Sequence, residues 1–428
     1  MSNNLPPNWS LVKLGDVCEI LDNKRSPINS NERDKRISGK PIESLFPYYG
    51  ATGQVGYIDD YLLEGEFVLL GEDGAPFLEK HKPKAYIVNG KIWVNNHAHI
   101  LLSKNHNKFL CYYLNFLDYH PFVTGTTRLK LNQSSMRQIP IINPPLPEQK
   151  KIVEKIEELF SGLDSGVASL KKAKAQIRLY RQSVLASAFS GRLHQDSSDY
   201  KINRIKEKNK SGKSLNPANP QILVNHGSDN LPNGWKWVKV SDVGDIVTGT
   251  TPSKKVSEYY GNDFPLYKPT DLNAGINTRK ASDNISKLGA TKARLLPEKS
   301  TMVTCIGATI GKTGLNKITG TTNQQINSII PNKNYIPECV YYFCISEFFQ
   351  DQIKTNASST TLPILNKSKF ELLPFIQIPL TQQTQIVEEI EKRFSEADNL
   401  EKAIDDSLAK SETLRQSILK KAFEGQLV

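Results

Sequence analysis

One stretch of this 428-residue chain occurs twice. Residues 181–193 read RQSVLASAFSGRL and residues 415–427 read RQSILKKAFEGQL, a shift of 234. Without a gap, the same shift carries Gln149, Ile152, Val153, Glu154, Ile156, Glu157, Phe160, Ser161 and Asp164 onto Gln383, Ile386, Val387, Glu388, Ile390, Glu391, Phe394, Ser395 and Asp398. Upstream it carries Thr126, Thr127, Leu131, Asn132, Ser134, Pro140 and Pro145 onto Thr360, Thr361, Leu365, Asn366, Ser368, Pro374 and Pro379, so it spans 124–193 and 358–427. The starts of the halves match at a shift of 226, with Leu5, Pro6, Trp9, Asp16, Val17 and Ile20 against Leu231, Pro232, Trp235, Asp242, Val243 and Ile246. Between these anchors the similarity is faint, as in 95–99 (NNHAH) opposite 323–327 (NQQIN). Each half is therefore a divergent body followed by a well-kept tail, a duplication that holds assembly constant and varies recognition.

The tails read as helices. Ile156, Leu163, Leu170, Ile177 and Val184 recur every seven residues, with Val153, Phe160 and Val167 beside them, the spacing of a coiled-coil seam. The second copy offers Val387, Ile390, Phe394, Ala397, Leu400, Ile404, Leu408, Leu414 and Ile418. Prolines at 144, 145, 147 and 379 stop upstream extension, and Gly191 and Gly425 stand near the far ends. About 42 residues at ~1.5 Å each make a rod of about 60 Å, too long to stand unpaired on a surface. Two such rods in one chain predict antiparallel pairing between the copies; the alternative is an intermolecular coiled coil.

The chain thus divides into a first body (1–143), a first spacer helix (144–193), a polar linker (194–230), a second body (231–377) and a second spacer helix (378–428). The linker is rich in Asn, Ser and Lys and has no periodicity. The bodies mix helix and strand. In the first, 55–58, 66–70, 85–88 and 97–102 are β-prone runs and 108–117 a helix; in the second, 302–306 and 326–330 are strands and a helix lies near 337–350.

A net charge of +11 favours a polyanionic partner. The excess is largest on the second body, whereas 378–428 is net acidic, as befits a solvated helix face or a surface that docks a protein. No run approaches the ~18 consecutive apolar residues of a membrane span, and the polar, proline-bearing start has no signal-peptide core. The expectation is a cytoplasmic protein without membrane contact. Five cysteines (Cys18, Cys111, Cys305, Cys339, Cys344) lack CxxC spacing and are expected as reduced, mostly buried thiols.

Several motifs have plain readings. Residues 143–146 (NPPL) resemble the strand end with which amino-methyltransferases hold a flipped base, but Leu146 replaces the stacking aromatic ring, and the prolines stand where a helix must start. Residues 307–313 (GATIGKT) are one residue short of a phosphate-cradling loop; a tight turn beside DNA is expected instead, with Lys312 as a phosphate contact. His97 and His99 alternate along one face of an expected strand, a spacing that suits a metal. Their counterparts Gln325 and Asn327 do not, so polar residues that support a loop or lie near bases are the expected reading. No metal or cofactor is expected.

Turns rich in small polar and basic residues remain, and such residues hold phosphates and read base edges. The candidate DNA contacts are Lys24, Arg25, Ser26, Thr52, Thr126, Thr127, Arg128 and Lys130 in the first body. In the second they are Thr250, Thr251, Ser253, Lys254, Lys268, Lys312, Thr360 and Thr361.

With these residues in place, the chain resembles the specificity subunit of type I restriction-modification systems. The resemblance rests on the LPxxW starts at 5–9 and 231–235, on 48–53 (YYGATG), 71–74 (GEDG), 307–312 (GATIGK) and 323–327 (NQQIN), and on the PL(P/T)xQxxIV starts of both helices. It implies an α+β fold with two α/β target recognition domains joined by two long antiparallel coiled-coil helices, a pseudo-two-fold internal repeat. It also implies that each domain reads half of a split asymmetric site in double-stranded DNA. Two modification (methyltransferase) subunits and ATP-driven restriction subunits would dock on a chain that is itself non-catalytic. Two competing classes are a stand-alone DNA methyltransferase or nuclease, and a coiled-coil adaptor without DNA affinity.

Overall fold

The computed structural model describes residues 5–192, 231–358 and 362–427; the expected linker at 194–230 and Thr360 and Thr361 lie outside them. Two compact units are present, one made of 1–173 with 403–428 and the other of 174–402. This division cuts both long helices, so each unit contains the start of one and the end of the other.

In the first unit, β1 (Ser10–Lys13) pairs antiparallel with β8 (Pro140–Asn143), joining the beginning of the body to the segment that leads into the helix. Between them run β2 (Cys18–Ile20), β3 (Phe46–Gly50), β4 (Gly53–Ile58), β5 (Leu63–Gly71), β6 (Ala85–Val94) and β7 (Ala98–Ser103). They form one sheet in the order β2-β7-β5-β6-β3-β4, antiparallel except where β3 meets β6. Side chains alternate across a strand, and β5 uses both faces. Val68 and Leu70 join the core shared with the helices, while Phe67 and Leu69 join a second cluster with Val88, Ile92 and Ile100.

The second unit repeats the plan in a broken form. Here β9 (Lys236–Lys239) pairs with β17 (Pro374–Gln377) as β1 does with β8. Next in the chain come β10 (Gly244–Thr248), β11 (Tyr260–Tyr267), β12 (Asp283–Ile285), β13 (Thr301–Thr304), β14 (Thr313–Leu315), β15 (Thr321–Thr322) and β16 (Ile326–Pro331). They form a four-stranded sheet, β10-β16-β13-β14, and a three-stranded one, β12-β11-β15. The first body's continuous β6 corresponds to β14 and β15 together. The turn between them is held by Asn316, whose amide donates to the carbonyls of Pro297 and Ile318. The single helix expected near 337–350 is two, Pro337–Cys344 and Glu347–Asn356, because Ser346 closes the first by donating to the Phe343 carbonyl and caps the second by accepting from Phe349 N.

Both tails are helices of 44 residues, Leu146–Phe189 and Leu380–Phe423. Each start is fastened alike. Gln149 and Gln383 are buried and donate to the carbonyls of Pro144 and Ile378, and the indoles of Trp9 and Trp235 donate to Glu148 and Gln382 on the first turn. Asn143 accepts from Asn105 and Gln149, so the NPPL segment is a helix start.

In each unit a helix start lies antiparallel beside the end of the other helix, and the two share a core. Ile152, Val153 and Ile156 join Ile418, Leu419, Ala422 and Phe423 in the first unit; Ile386, Val387 and Ile390 join Val184, Leu185 and Ala188 in the second. One line of the seam in the second helix runs through Ile390, Ala397, Ile404 and Ile418, all buried. The expected members Leu400 and Leu414 depart from it, at 55% and 49% exposed. They fall one residue short of the companion line through Phe394, Glu401, Leu408 and Arg415. In the first helix that line carries Lys174 and Arg181, so part of the seam is charged. Arg181 lies over the Phe394 ring and pairs with Asp398 at 2.7 Å and Glu401 at 3.2 Å. Its counterpart Arg415 lies over Phe160 and pairs with Asp164. Body tyrosines Tyr342 and Tyr112 meet the same two phenylalanines edge-on. Charges inside a seam cost stability and select register, and here the same register is selected in both units.

Phe423 packs against Phe109, Tyr113 and Phe116 at 5.1–5.6 Å. Phe423→Ala is therefore expected to destabilise the first unit by about 3–5 kcal/mol, read as a lowered midpoint in denaturant titration. All five cysteines are buried free thiols. Among the described residues no helix is long and apolar enough to cross a membrane.

Candidate nucleic-acid interface

In each body, four loops far apart in sequence are tied together by main-chain hydrogen bonds, and the pattern is the same in both. Glu72 N donates to His97 O and Leu131 N to Glu72 O, as Cys305 N does to Gln325 O and Leu365 N to Cys305 O. Thr124 and Lys130 exchange a pair of bonds, as do Ser358 and Ile364. Gly74 N donates to Leu129 O and Gly307 N to Pro363 O. Both glycines have positive φ, 68° and 101°, a conformation that side chains resist. Asn95 and Asn323 each accept from the backbone two residues on, and their own N–H groups donate to Tyr49 O and Tyr267 O. This frame explains the faint match between 95–99 and 323–327.

The side chains on the frame differ. In the first body they are ionic. Glu72 pairs with Arg25 at 2.5 Å and Lys130 at 3.2 Å; Asp73 pairs with His97 at 2.5 Å and Arg128 at 3.1 Å. Beneath them His99 is fully buried, with Nδ1 2.6 Å from Asp22 and Nε2 donating to the Leu131 carbonyl at 2.8 Å. Asp22 also accepts from Ile100 N and Gln133. Burial pushes its carboxyl up, but the hydrogen bonds from His99, Ile100 and Gln133 outweigh this and hold it below the usual carboxylate value. In the second body the side-chain pairs on the frame are neutral: Thr248 donates to Asn327 at 2.7 Å and Thr251 to Gln324 at 2.8 Å.

The expected contact residues sort by geometry. Lys24, Thr52, Thr126, Thr127, Arg128 and Lys130 are exposed on or beside the first frame, as are Ser253 and Lys254 in the second body, with Thr250, Thr251 and Lys312 half-buried. Arg25 departs from the expectation. Its guanidinium is held inward by Glu72, the Asp22 carbonyl and the Ala98 carbonyl, so it braces the frame instead of facing a ligand. Ser26 is tied to the sheet through Val94 O and Trp93 Nε1, and Lys268 is paired with Asp283. Lys312 lies in a tight turn between β13 and β14 with no helix following, so the segment is no phosphate loop. His97 sits in the turn before β7 and not on the strand, and the two imidazoles take separate carboxylates. Among the described residues no three His, Cys, Asp or Glu side chains are placed to hold a metal ion. Sequence reasoning missed Arg294, which is exposed and donates to the Thr248 carbonyl at the second frame; only the folded chain brings it there.

Asp22→Asn is expected to cost the first unit about 3 kcal/mol, the scale for unpairing a buried ionic contact. Because the Asp22 carboxyl is depressed in the folded state, its contribution is fully present above about pH 4 and lost as pH falls through the lowered folded value. Denaturation of wild type and variant from pH 7 to pH 3 checks this: the gap between the two should be constant in the neutral range and narrow as the acid end is approached.

Residues 6–175 and 232–410 each match the family described as Type I restriction modification DNA specificity domain. The chain is 23% identical over its whole length to the EcoDI type I restriction enzyme specificity subunit of Escherichia coli, covering 90% of that protein. Against the EcoBI specificity subunit of the same species it is 25% identical, with 98% of this chain and 86% of that one covered. A putative specificity subunit of Haemophilus influenzae, S.HindORF215P, is 39% identical over 148 residues, about a third of either chain (34% and 36%). In fold, the chain is similar to a structure from work on assembly and conformational transition of the type I R-M system (TM-score 0.69, 18% identity, all of both chains). It is also similar to the HsdS subunit of Thermoanaerobacter tengcongensis (TM-score 0.54, 18% identity, 99% and 98% covered).

Proposed function

The chain belongs to the type I restriction-modification DNA specificity family, and from that premise we propose that each body reads one half of a bipartite, asymmetric DNA site while the long helices set the unread gap. The observation that carries this reading is the duplicated loop frame with unlike side chains: one way of presenting residues, two sets of residues presented. Methylation of adenine and ATP-driven cleavage belong, in this reading, to two modification subunits and to restriction subunits that dock on this chain, which supplies no catalytic group.

The contacts we assign to the first half-site are Lys24, Thr52, Thr126, Thr127, Arg128 and Lys130. Those for the second are Thr250, Thr251, Ser253, Lys254 and Lys312, with Thr360 and Thr361 added from the sequence repeat. Arg25, Ser26 and Lys268 are supporting residues. A phosphate-contacting lysine should weaken binding to all sequences alike, so Lys254→Ala should reduce the slope of log affinity against log salt by about 0.9.

Removing one heptad at matched positions of both helices shortens each by about 10 Å at ~1.5 Å per residue, close to three base pairs at ~3.4 Å. In cells expressing this chain with its modification subunits, long-read mapping of methylated adenine should show both half-sites unchanged and the gap shorter by about three base pairs. Altered half-sites with an unaltered gap would overturn the assignment. Methyl transfer to DNA by the purified chain with S-adenosylmethionine alone would favour a stand-alone methyltransferase instead.

A further inference from the structure

We propose that Asp73, supported by Glu72, determines the selectivity of the first body by restraining Arg128 and Lys130, so that phosphate alone does not capture them. This rests on the DNA-reading function proposed above. The two cations are on the outside, with side chains 63% and 49% exposed, and the two carboxylates lie beneath them at 21% and 14%. The carboxylates have second partners that fix them in place, His97 for Asp73 and Arg25 for Glu72, whereas Arg128 and Lys130 are arms on an exposed loop. A phosphate drawn to either arm also meets the carboxylate under it. Sequence-independent affinity comes from released counterions, and a like charge at the contact opposes it. Arg128 is then free to leave Asp73 only for a partner that satisfies its planar fork, such as a guanine edge.

The second body has no such restraint. Cys305 and Ile306 stand where the first body has Glu72 and Asp73, and Ile364 stands in place of Lys130, as the matched bridges Asp73 to Lys130 and Ile306 to Ile364 show. The charge network is therefore no requirement of the loop frame.

The test is binding of the full-length chain to a random-sequence duplex of about 40 base pairs over a salt series, followed by fluorescence anisotropy. Asp73→Asn should tighten binding about fivefold at low salt and steepen the salt slope by roughly one, the signature of one added phosphate contact. Asp73→Glu should behave as wild type. Arg128→Ala placed in the Asp73→Asn chain should remove the gain, while Arg128→Ala alone should change little. Glu43→Gln, an exposed acid in the short helical turn Ile42–Ser44, measures the effect of one lost charge outside the four loops of the frame. The proposal is overturned if Asp73→Asn tightens no more than Glu43→Gln, or if the gain survives loss of Arg128. Should the wild-type chain bind no duplex even at low salt, the DNA-reading function fails first, and this inference with it.

Discussion

Everything in the two bodies is built around helix ends that cross between repeats. The first body presents an apolar face made by Phe109, Leu110, Tyr113 and Leu114, which is covered by Ile152 and Ile156 from the nearby helix and by Ile418, Leu419 and Phe423 from the far end of the chain. In the second body the covering residues are Val184, Leu185 and Ala188 with Ile386 and Ile390. Burial of this apolar surface is the dominant favourable contribution to the fold, and in neither case does one repeat supply it. The similarity of the tails follows physically. A change at a helix start must suit its own body and the other repeat's helix end, and a change at a helix end must suit a body and a helix start that both belong to the other repeat, while a change in a recognition loop needs to suit only its own frame.

The frame itself explains how the bodies diverged without losing their geometry. Main-chain hydrogen bonds hold the four loops together, and such bonds depend little on which side chains are attached. An ionic network of Asp22, Arg25, Glu72 and His99 can occupy the frame in one body and a neutral set of Thr248, Thr251, Gln324 and Asn327 in the other. The first network is costly to bury and depends on complete pairing; the second is not. Two chemically unlike surfaces thereby share one scaffold.

The helices were legible because a heptad pattern is local and repeated, and their starts because prolines precede them. The seam was legible only in part. Leu400 and Leu414 look like seam residues by composition, yet the neighbouring positions held by Glu401 and Arg415 face the partner helix, since ion pairs with Arg181 and Asp164 across the seam hold those side chains there and Arg415 also lies over the ring of Phe160. A helix break at Ser346 went unread because a capping serine inside an apolar run resembles an ordinary helical residue. The role of Arg25 could not be read at all. A basic residue in a polar turn has the same local appearance whether it faces solvent or, as here, a carboxylate 47 positions away.

By itself, the sequence determined that there are two related bodies, two long helices and a family, because duplication, periodicity and motif spacing are written along the chain. Only the tertiary structure decided which helix end closes which body, which charges are neutralised and which remain outward, and that the two sets of loops share one hydrogen-bonded frame. The reason is that these depend on contacts between residues distant in sequence, whose pairing is chosen by shape and desolvation when the chain folds and leaves no local pattern to read.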